Sequence, residues 1–204
     1  MPKPRTIKPS EGGLWGIMGG TYNPVHLGHL IMAESVLHSY DADGMLFVPA
    51  RTHPLKSNDE IATPYEDRLA MVRLAIAGNE QFRIEESPEY SAYTIDLIDF
   101  LQNKYPAARF FLPIGSDLID EFHKWHKYAE IEERVQIVIA SRPGYQFVSR
   151  TDGVLKSAEH VVIPQYDISS RDIRRRLASR MSIRYMVPEA VRDYIAERTL
   201  YGEE

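Results

Sequence analysis

The chain has 204 residues, with 24 Lys and Arg against 29 Asp and Glu, a formal charge of −5. With 44% hydrophobic and 26% charged residues it suits one globular unit and excludes a disordered chain. It has no cysteine, which excludes disulfides, thiolate-bound zinc, iron–sulfur clusters and thiol catalysis, and fits a cytoplasmic protein. The acidic balance gives no basic footprint for nucleic acid. The longest apolar runs fall far short of the ~18 residues that would span a membrane.

Pro2, Pro4, Pro9, Gly12 and Gly13 predict a disordered leader over 1–13, without the apolar stretch of a signal peptide, ahead of a single domain over 14–204. Residues 14–18 predict a buried strand ended by Gly19 and Gly20. Apolar residues at 27, 30, 31 and 37 predict a helix over 27–37. A second strand over 45–48 stops at Pro49, and 50–63 reads as a mobile loop rich in Pro, Ser, Asn and Asp. Thr63 and Pro64 open a helix over 65–77, with Pro64 in its first turn. Then come a strand over 82–84, a helix over 94–103 and an apolar strand over 109–114 closed by Gly115. The run at 135–140 is continuous and β-branched, as in a strand buried on both faces. A polar loop over 141–157, a short strand over 161–163 and helices over 168–179 and 188–197 complete the chain. This alternation predicts an α/β fold with a mostly parallel sheet and C-terminal helices. Ligands in such folds sit beyond the carboxyl ends of the strands, which singles out the loops after Met18, Ile114 and Ile163.

The first of these loops runs over 19–29 as Gly-Gly-Thr-Tyr-Asn-Pro-Val-His-Leu-Gly-His. Two glycines let the backbone approach a ligand and take conformations barred to other residues. The helix behind them offers free N–H groups to an anion. His26 and His29, three apart, face one side, and Gly28 leaves room for a flat ligand. Imidazoles there can donate to phosphate oxygens and stabilise charge in a transition state. Neither G-x-G-x-x-G nor a Walker A loop is present. A plain helix start is the alternative, as is a metal site with His53, although no carboxylate flanks the pair.

Residues 168–174 (Ile-Ser-Ser-Arg-Asp-Ile-Arg) form a second helix start, capped by Ser169 or Ser170. Their hydroxyls, the free N–H groups and Arg174 make a second phosphate cradle, or else a solvated basic face. Asp117, following Gly115 and Ser116, suits a ribose hydroxyl or a helix cap. Trp125, among His123, Lys124 and His126, suits stacking on a flat ring or filling a gap between helices. His123 and His126 read as surface residues. Ser91, Ala92, Tyr93 and Thr94 offer N–H groups at a helix start, or an ordinary cap.

The string at 19–29 resembles the signature of nucleotidyltransferases built on an H-x-G-H loop, and among them bacterial nicotinate-nucleotide adenylyltransferases. Residues 168–174 resemble their I-S-S-T-x-I-R motif, with Arg171 where Thr or Ser is usual. The Gly115 to Asp117 segment resembles their G-x-D, residues 91–94 their S-x-Y-T, and 49–56 their proline-rich loop ending in Lys56. The resemblance covers about 14–201, including 142–144 and 185–191. It implies a Rossmann-like, doubly wound fold and transfer of AMP from ATP to nicotinate mononucleotide, a step of NAD biosynthesis. It implies ATP contacts at Gly19, Gly20, Thr21, His26, His29, Gly115, Asp117, Ile168, Ser169, Ser170 and Arg174. Acceptor contacts are implied at Tyr22, Asn23, Lys56, Tyr93, Thr94 and Trp125. Within this set His26 would meet the α-phosphate charge, His29 the same α/β-phosphate cradle, and Arg174 with Ser169 the β/γ-phosphates. Mg²⁺ would come with ATP, since no carboxylate cluster suggests a protein-made cage. Position 126 often carries an aromatic hydroxyl in this family; here it is His. Nicotinamide-mononucleotide or phosphopantetheine adenylyltransferase, or a non-catalytic nucleotide-binding module, are the alternatives. Oligomeric state stays open.

Overall fold

The computed structural model describes residues 8–51, 63–86, 93–141, 153–164 and 166–202. Six strands run in chain order: β1 Gly13–Gly20, β2 Gly44–Pro49, β3 Phe82–Ile84, β4 Ala108–Gly115, β5 Gln136–Ser141 and β6 Glu159–Val162. The helices are α1 Leu27–Ser39, α2 Tyr65–Ile76, α3 Thr94–Lys104, α4 Tyr128–Arg134, α5 Ser170–Ala178 and α6 Glu189–Glu197. The sheet order is β3-β2-β1-β4-β5-β6, and the paired strands are parallel throughout. The order reverses between β1 and β4, so the connections that leave these two strands run to opposite halves of the sheet and leave a crevice beyond their carboxyl ends.

Alternation along the strands builds two cores. Trp15 and Ile17 of β1, Phe110, Leu112 and Ile114 of β4, and Ile137 and Ile139 of β5 pack against α3, α4 and the turn that carries Phe122. Met18, Met45, Phe47, Phe111, Val138 and Ala140 face the other way, against α1, α2, α5 and α6. A sheet covered on both faces needs apolar residues at successive positions, which is why β5 carries its continuous run.

Several predicted boundaries move. β1 continues through Gly19 and Gly20, which pair with Val48 and Pro49, so the glycines belong to the strand. Pro64 caps α2 from outside instead of entering its first turn. The last strand lies at Glu159–Val162, and α4 was not predicted. Its seven residues (YAEIEER) bury one apolar side chain, Ile131, too little for a 3.6-residue stripe. Residues 8–13, expected in the leader, contain a 3₁₀ turn at Pro9–Glu11 and the first residue of β1. The Gly12 carbonyl accepts from the Trp15 indole at 2.9 Å. Of the predicted polar loop over 141–157, Val154 and Leu155 are buried in the second core. The segments containing His53, Lys56, Ser91, Ala92 and 142–144 lie outside the described residues.

Gly44 opens β2 where a Cβ would lie 2.2 Å from the Trp15 ring and 2.6 Å from the Gln81 carbonyl oxygen. Neither neighbour is a flexible chain end, so Gly44→Ala should overpack this point. A loss of about 1–3 kcal/mol is expected from the shift in urea midpoint.

Candidate active site

The loop between β1 and α1 is fixed from several directions. The Gly20 carbonyl accepts from the Ala50 N–H at 2.9 Å, joining it to the chain after β2. Tyr22 takes a left-handed φ of 52° and buries its ring, its hydroxyl donating to the Met18 carbonyl. Arg68 of α2, 1% exposed, donates from Nη1 to the carbonyls of Thr21 at 2.6 Å and Ala50 at 2.7 Å. Its Nε donates to the Thr63 carbonyl at 3.3 Å. A guanidinium buried this deeply is tolerable because its donors are directed at carbonyls of the β1–α1 loop and of the connection between β2 and α2.

The glycines act differently from expectation. Gly19 and Gly20 are absent from the residues with positive φ, so conformational freedom is not their role. A Cβ on Gly19 would meet nothing within 4 Å, leaving open space against the backbone at the end of β1. At Gly28 a Cβ would lie 2.7 Å from the Tyr166 ring and 2.9 Å from His26 Nδ1. The space it leaves is therefore taken up by the Tyr166 ring and the His26 imidazole.

His26 is the N-cap of α1, and its backbone N–H donates to His29 Nδ1 at 3.2 Å. The His29 N–H donates back to the His26 carbonyl at 3.0 Å. The rings lie 3.8 Å apart at 33°, and the Tyr22 ring meets His29 edge-on at 5.0 Å. Burial lowers the His26 pKa from 6.5 to about 4. Burial, then the nearby His26 charge, lowers His29 well below 6.5. Both rings are thus neutral at pH 7. Because His29 Nδ1 accepts, its proton sits on Nε2, making the far edge of the ring a donor. His26 is 6% exposed, and its Nδ1 has no hydrogen-bond partner among the described residues.

A cleft of about 190 Å³ opens in front of His29, lined also by Thr21, Tyr22, Asn23, Ser170, Arg171 and Arg174. His26 stands behind this surface and does not line it. Ser169 caps α5, its Oγ accepting from the Asp172 N–H at 3.1 Å. The Ser170 hydroxyl donates to the Pro24 carbonyl at 2.8 Å, and Arg174 Nη1 donates to the Asn23 carbonyl at 2.7 Å. The second predicted cradle therefore docks onto the first loop. Arg175 and Arg176 pair with Asp172, while Arg171 lines the cleft. Ile168 lies two residues before α5 and is half-buried.

Gly115 ends β4 beside Ala140 of β5, and the exposed Asp117 follows in a 3₁₀ turn. A Cβ at Gly115 would collide with Asp117 Oδ1 at 2.3 Å, so glycine there lets the carboxylate fold back over the strand end. Trp125 is half-buried and packs on Phe122 at 5.2 Å. Tyr93 caps α3 through its backbone, Thr94 is the first helical residue, and the exposed Tyr93 ring packs on His126 at 4.6 Å. None of these lines the cleft at His29.

Residues not singled out from sequence complete the frame. Besides Arg68, Asp67 is buried and accepts from the Tyr194 hydroxyl at 2.8 Å and Arg198 Nε at 3.3 Å, tying α2 to α6. Tyr201 donates from its hydroxyl to Asn23 Oδ1 at 2.7 Å. The Met186 carbonyl accepts from the Leu27 N–H at 2.9 Å. These partners are more than a hundred residues apart, with no local pattern to announce them. The adjacent Asp67 and Arg68 among apolar helix positions were the one available signal.

A parallel sheet with its crevice at β1 and β4, a helix start, neutral imidazoles and an arginine make an α/β protein whose site suits an anionic, phosphate-bearing ligand. The cytidylyltransferase-like family model matches residues 17–176. The "Nicotinate-nucleotide adenylyltransferase" of Bacillus subtilis (strain 168) is 34% identical, over 91% of this chain and 97% of its own length. A "Probable nicotinate-nucleotide adenylyltransferase" of Geobacillus thermodenitrificans is 40% identical, over 93% of this chain and 87% of its own. The fold is shared with Plasmodium falciparum nicotinic acid mononucleotide adenylyltransferase complexed with NaAD. That likeness has a TM-score of 0.75 at 20% identity, covering 92% of this chain and 97% of that one. The chain belongs to the nicotinate-nucleotide adenylyltransferase family.

The His pair predicts a pH dependence of stability. Unfolded, His26 takes up a proton near pH 6.5; folded, only near 4. The unfolded state therefore binds more protons between these values, and stability present above pH 6.5 is lost as pH falls towards 4. For His26 alone the loss should be on the order of 1 kcal/mol at pH 5.5. Urea midpoints at pH 7.5 and 5.5 should fall in the wild type and fall less in His26→Asn.

Proposed function

We propose that this chain transfers the adenylyl group of ATP to the phosphate of nicotinate mononucleotide, giving nicotinate adenine dinucleotide and pyrophosphate. The observation that carries the reading is the neutral His29, with its donor edge set by the α1 cap and a cleft shared with Arg174 in front of it. Family membership supports the same acceptor. An oxygen of the nucleotide phosphate attacks the α-phosphorus of ATP in line, while the bond to the bridging β-phosphate oxygen breaks and its electron pair leaves with pyrophosphate. A phosphate monoester is already anionic near pH 7, so the attack needs no general base. Neutral imidazoles suit this division of labour, because positioning and charge stabilisation supply the catalysis.

In this reading the α-phosphate role that the resemblance gives His26 passes to His29, which donates from Nε2, while His26 stands behind it and holds its ring through the bond from the His26 N–H to Nδ1. Gly19, Gly20 and Thr21 give close backbone approach, and Gly115 and Asp117 approach the nucleoside. Ile168, Ser169, Ser170 and Arg174 present the α5 start to the β- and γ-phosphates, and Arg171 adds a second guanidinium. Tyr22 and Asn23 shape the acceptor side of the loop. Lys56, Tyr93, Thr94 and Trp125 serve the acceptor, with His126 against Tyr93. Among the described residues there is no group of three His, Asp or Glu able to hold a metal ion. Mg²⁺ belongs to the substrate here, carried on the ATP phosphates and easing their charge. Among the described residues no helix is long and apolar enough to cross a membrane, and we place the reaction in the cytoplasm.

Pyrophosphate release should be measured with nicotinate mononucleotide, nicotinamide mononucleotide and phosphopantetheine in parallel. Strong turnover with the nicotinate substrate alone is expected; preference for either other acceptor would overturn the assignment. His29→Ala should lower kcat on the order of 100–1,000-fold by removing a transition-state donor. An unchanged kcat would reject that role.

A further inference from the structure

Asn23 lines the cleft and is gripped at both ends of its residue. Its carbonyl accepts from Arg174, and its side-chain Oδ1 accepts from Tyr201 across 178 positions of sequence. The Tyr201 partner is itself well anchored. Leu200 and Tyr201 pack against the core that holds α1, α2, α5 and α6, and the Leu200 N–H donates to the Ile195 carbonyl at 3.0 Å. Helix α6 is fastened to α2 through Asp67. Burial pushes the Tyr201 phenol up to about 12, so it keeps its proton and remains a donor at neutral pH.

A carboxamide has an acceptor end and a donor end, and a loop residue can present either. A phenol donating to Oδ1 removes that choice, turning the amino end the other way. We propose that Tyr201 is a positioning residue for adenylyl transfer: it touches no substrate, but fixes the Asn23 carboxamide and with it the first loop at the cleft. The C-terminal segment thereby becomes part of the apparatus that aligns the phosphates. The role in transfer rests on the function proposed above.

Four proteins test it: wild type, Tyr201→Phe, Asn23→Ala and the double variant, with Asn23→Ser replacing Asn23→Ala if the latter does not fold. Tyr201→Phe should lower kcat/KM about tenfold, mostly in kcat, with a thermal midpoint only about 2–4 °C lower. The same substitution in the Asn23→Ala background should cause little further loss. Unchanged kcat/KM in Tyr201→Phe would overturn the proposal, as would an equal loss in both backgrounds, which assigns the tyrosine to packing alone. Should the wild type release no pyrophosphate with any acceptor, the functional reading fails. The same cycle is then read in ATP affinity by calorimetry, where coupling between Tyr201 and Asn23 sustains the positioning role and its absence overturns it.

Discussion

The first turn of α1 is closed by a bond from the His26 N–H to the Nδ1 of His29, a side chain taking the place of a missing helical carbonyl. The chemistry of the cleft depends on that bond. It satisfies a backbone donor at the helix start, and it also commits one nitrogen of a neutral imidazole as acceptor. The remaining nitrogen must carry the proton. Burial keeps both rings uncharged, so His29 stays a donor of fixed direction without attracting an anion as a cation would. Positive charge enters instead from Arg174 and Arg171 across the cleft.

Such a bond is useful only if the preceding loop is still. Residues 21–26 form no element of their own, and their fixed points come from distant parts of the chain, Arg68, Ser170, Arg174 and Tyr201, while the Met186 carbonyl holds Leu27 at the start of α1. The sheet order makes this possible. With β1 central and α1, α2, α5 and α6 on one face, the C-terminal helices lie against the loop that begins the site. The residues that close the fold also orient the loop between β1 and α1, so its stability and geometry are held by the same contacts.

The strand–helix order was legible because burial on both faces demands apolar runs: β5 announces itself by its continuous run and α3 by its period. Helix α4 was not, since a single buried Ile131 leaves no stripe to read. At the site, the His pair and the serines of α5 were visible as helix starts, a local signature. Their partners were not. Gly28 looked like room for a ligand, whereas the space is filled by Tyr166 and His26, a packing fact with no trace in spacing. Arg68, Asp67 and Tyr201 act through tertiary contacts, which a single sequence does not encode in any local pattern.

The donor edge that faces the cleft requires His29 to be a neutral imidazole with its proton on Nε2. Long-range proton–nitrogen correlation spectra of the histidine rings, assigned by His26→Asn and His29→Asn and followed from pH 8 to 5.5, test it directly. An unprotonated Nδ1 and a protonated Nε2 are expected for His29 throughout this range. A doubly protonated ring at pH 7, or a proton resident on Nδ1, would contradict that state.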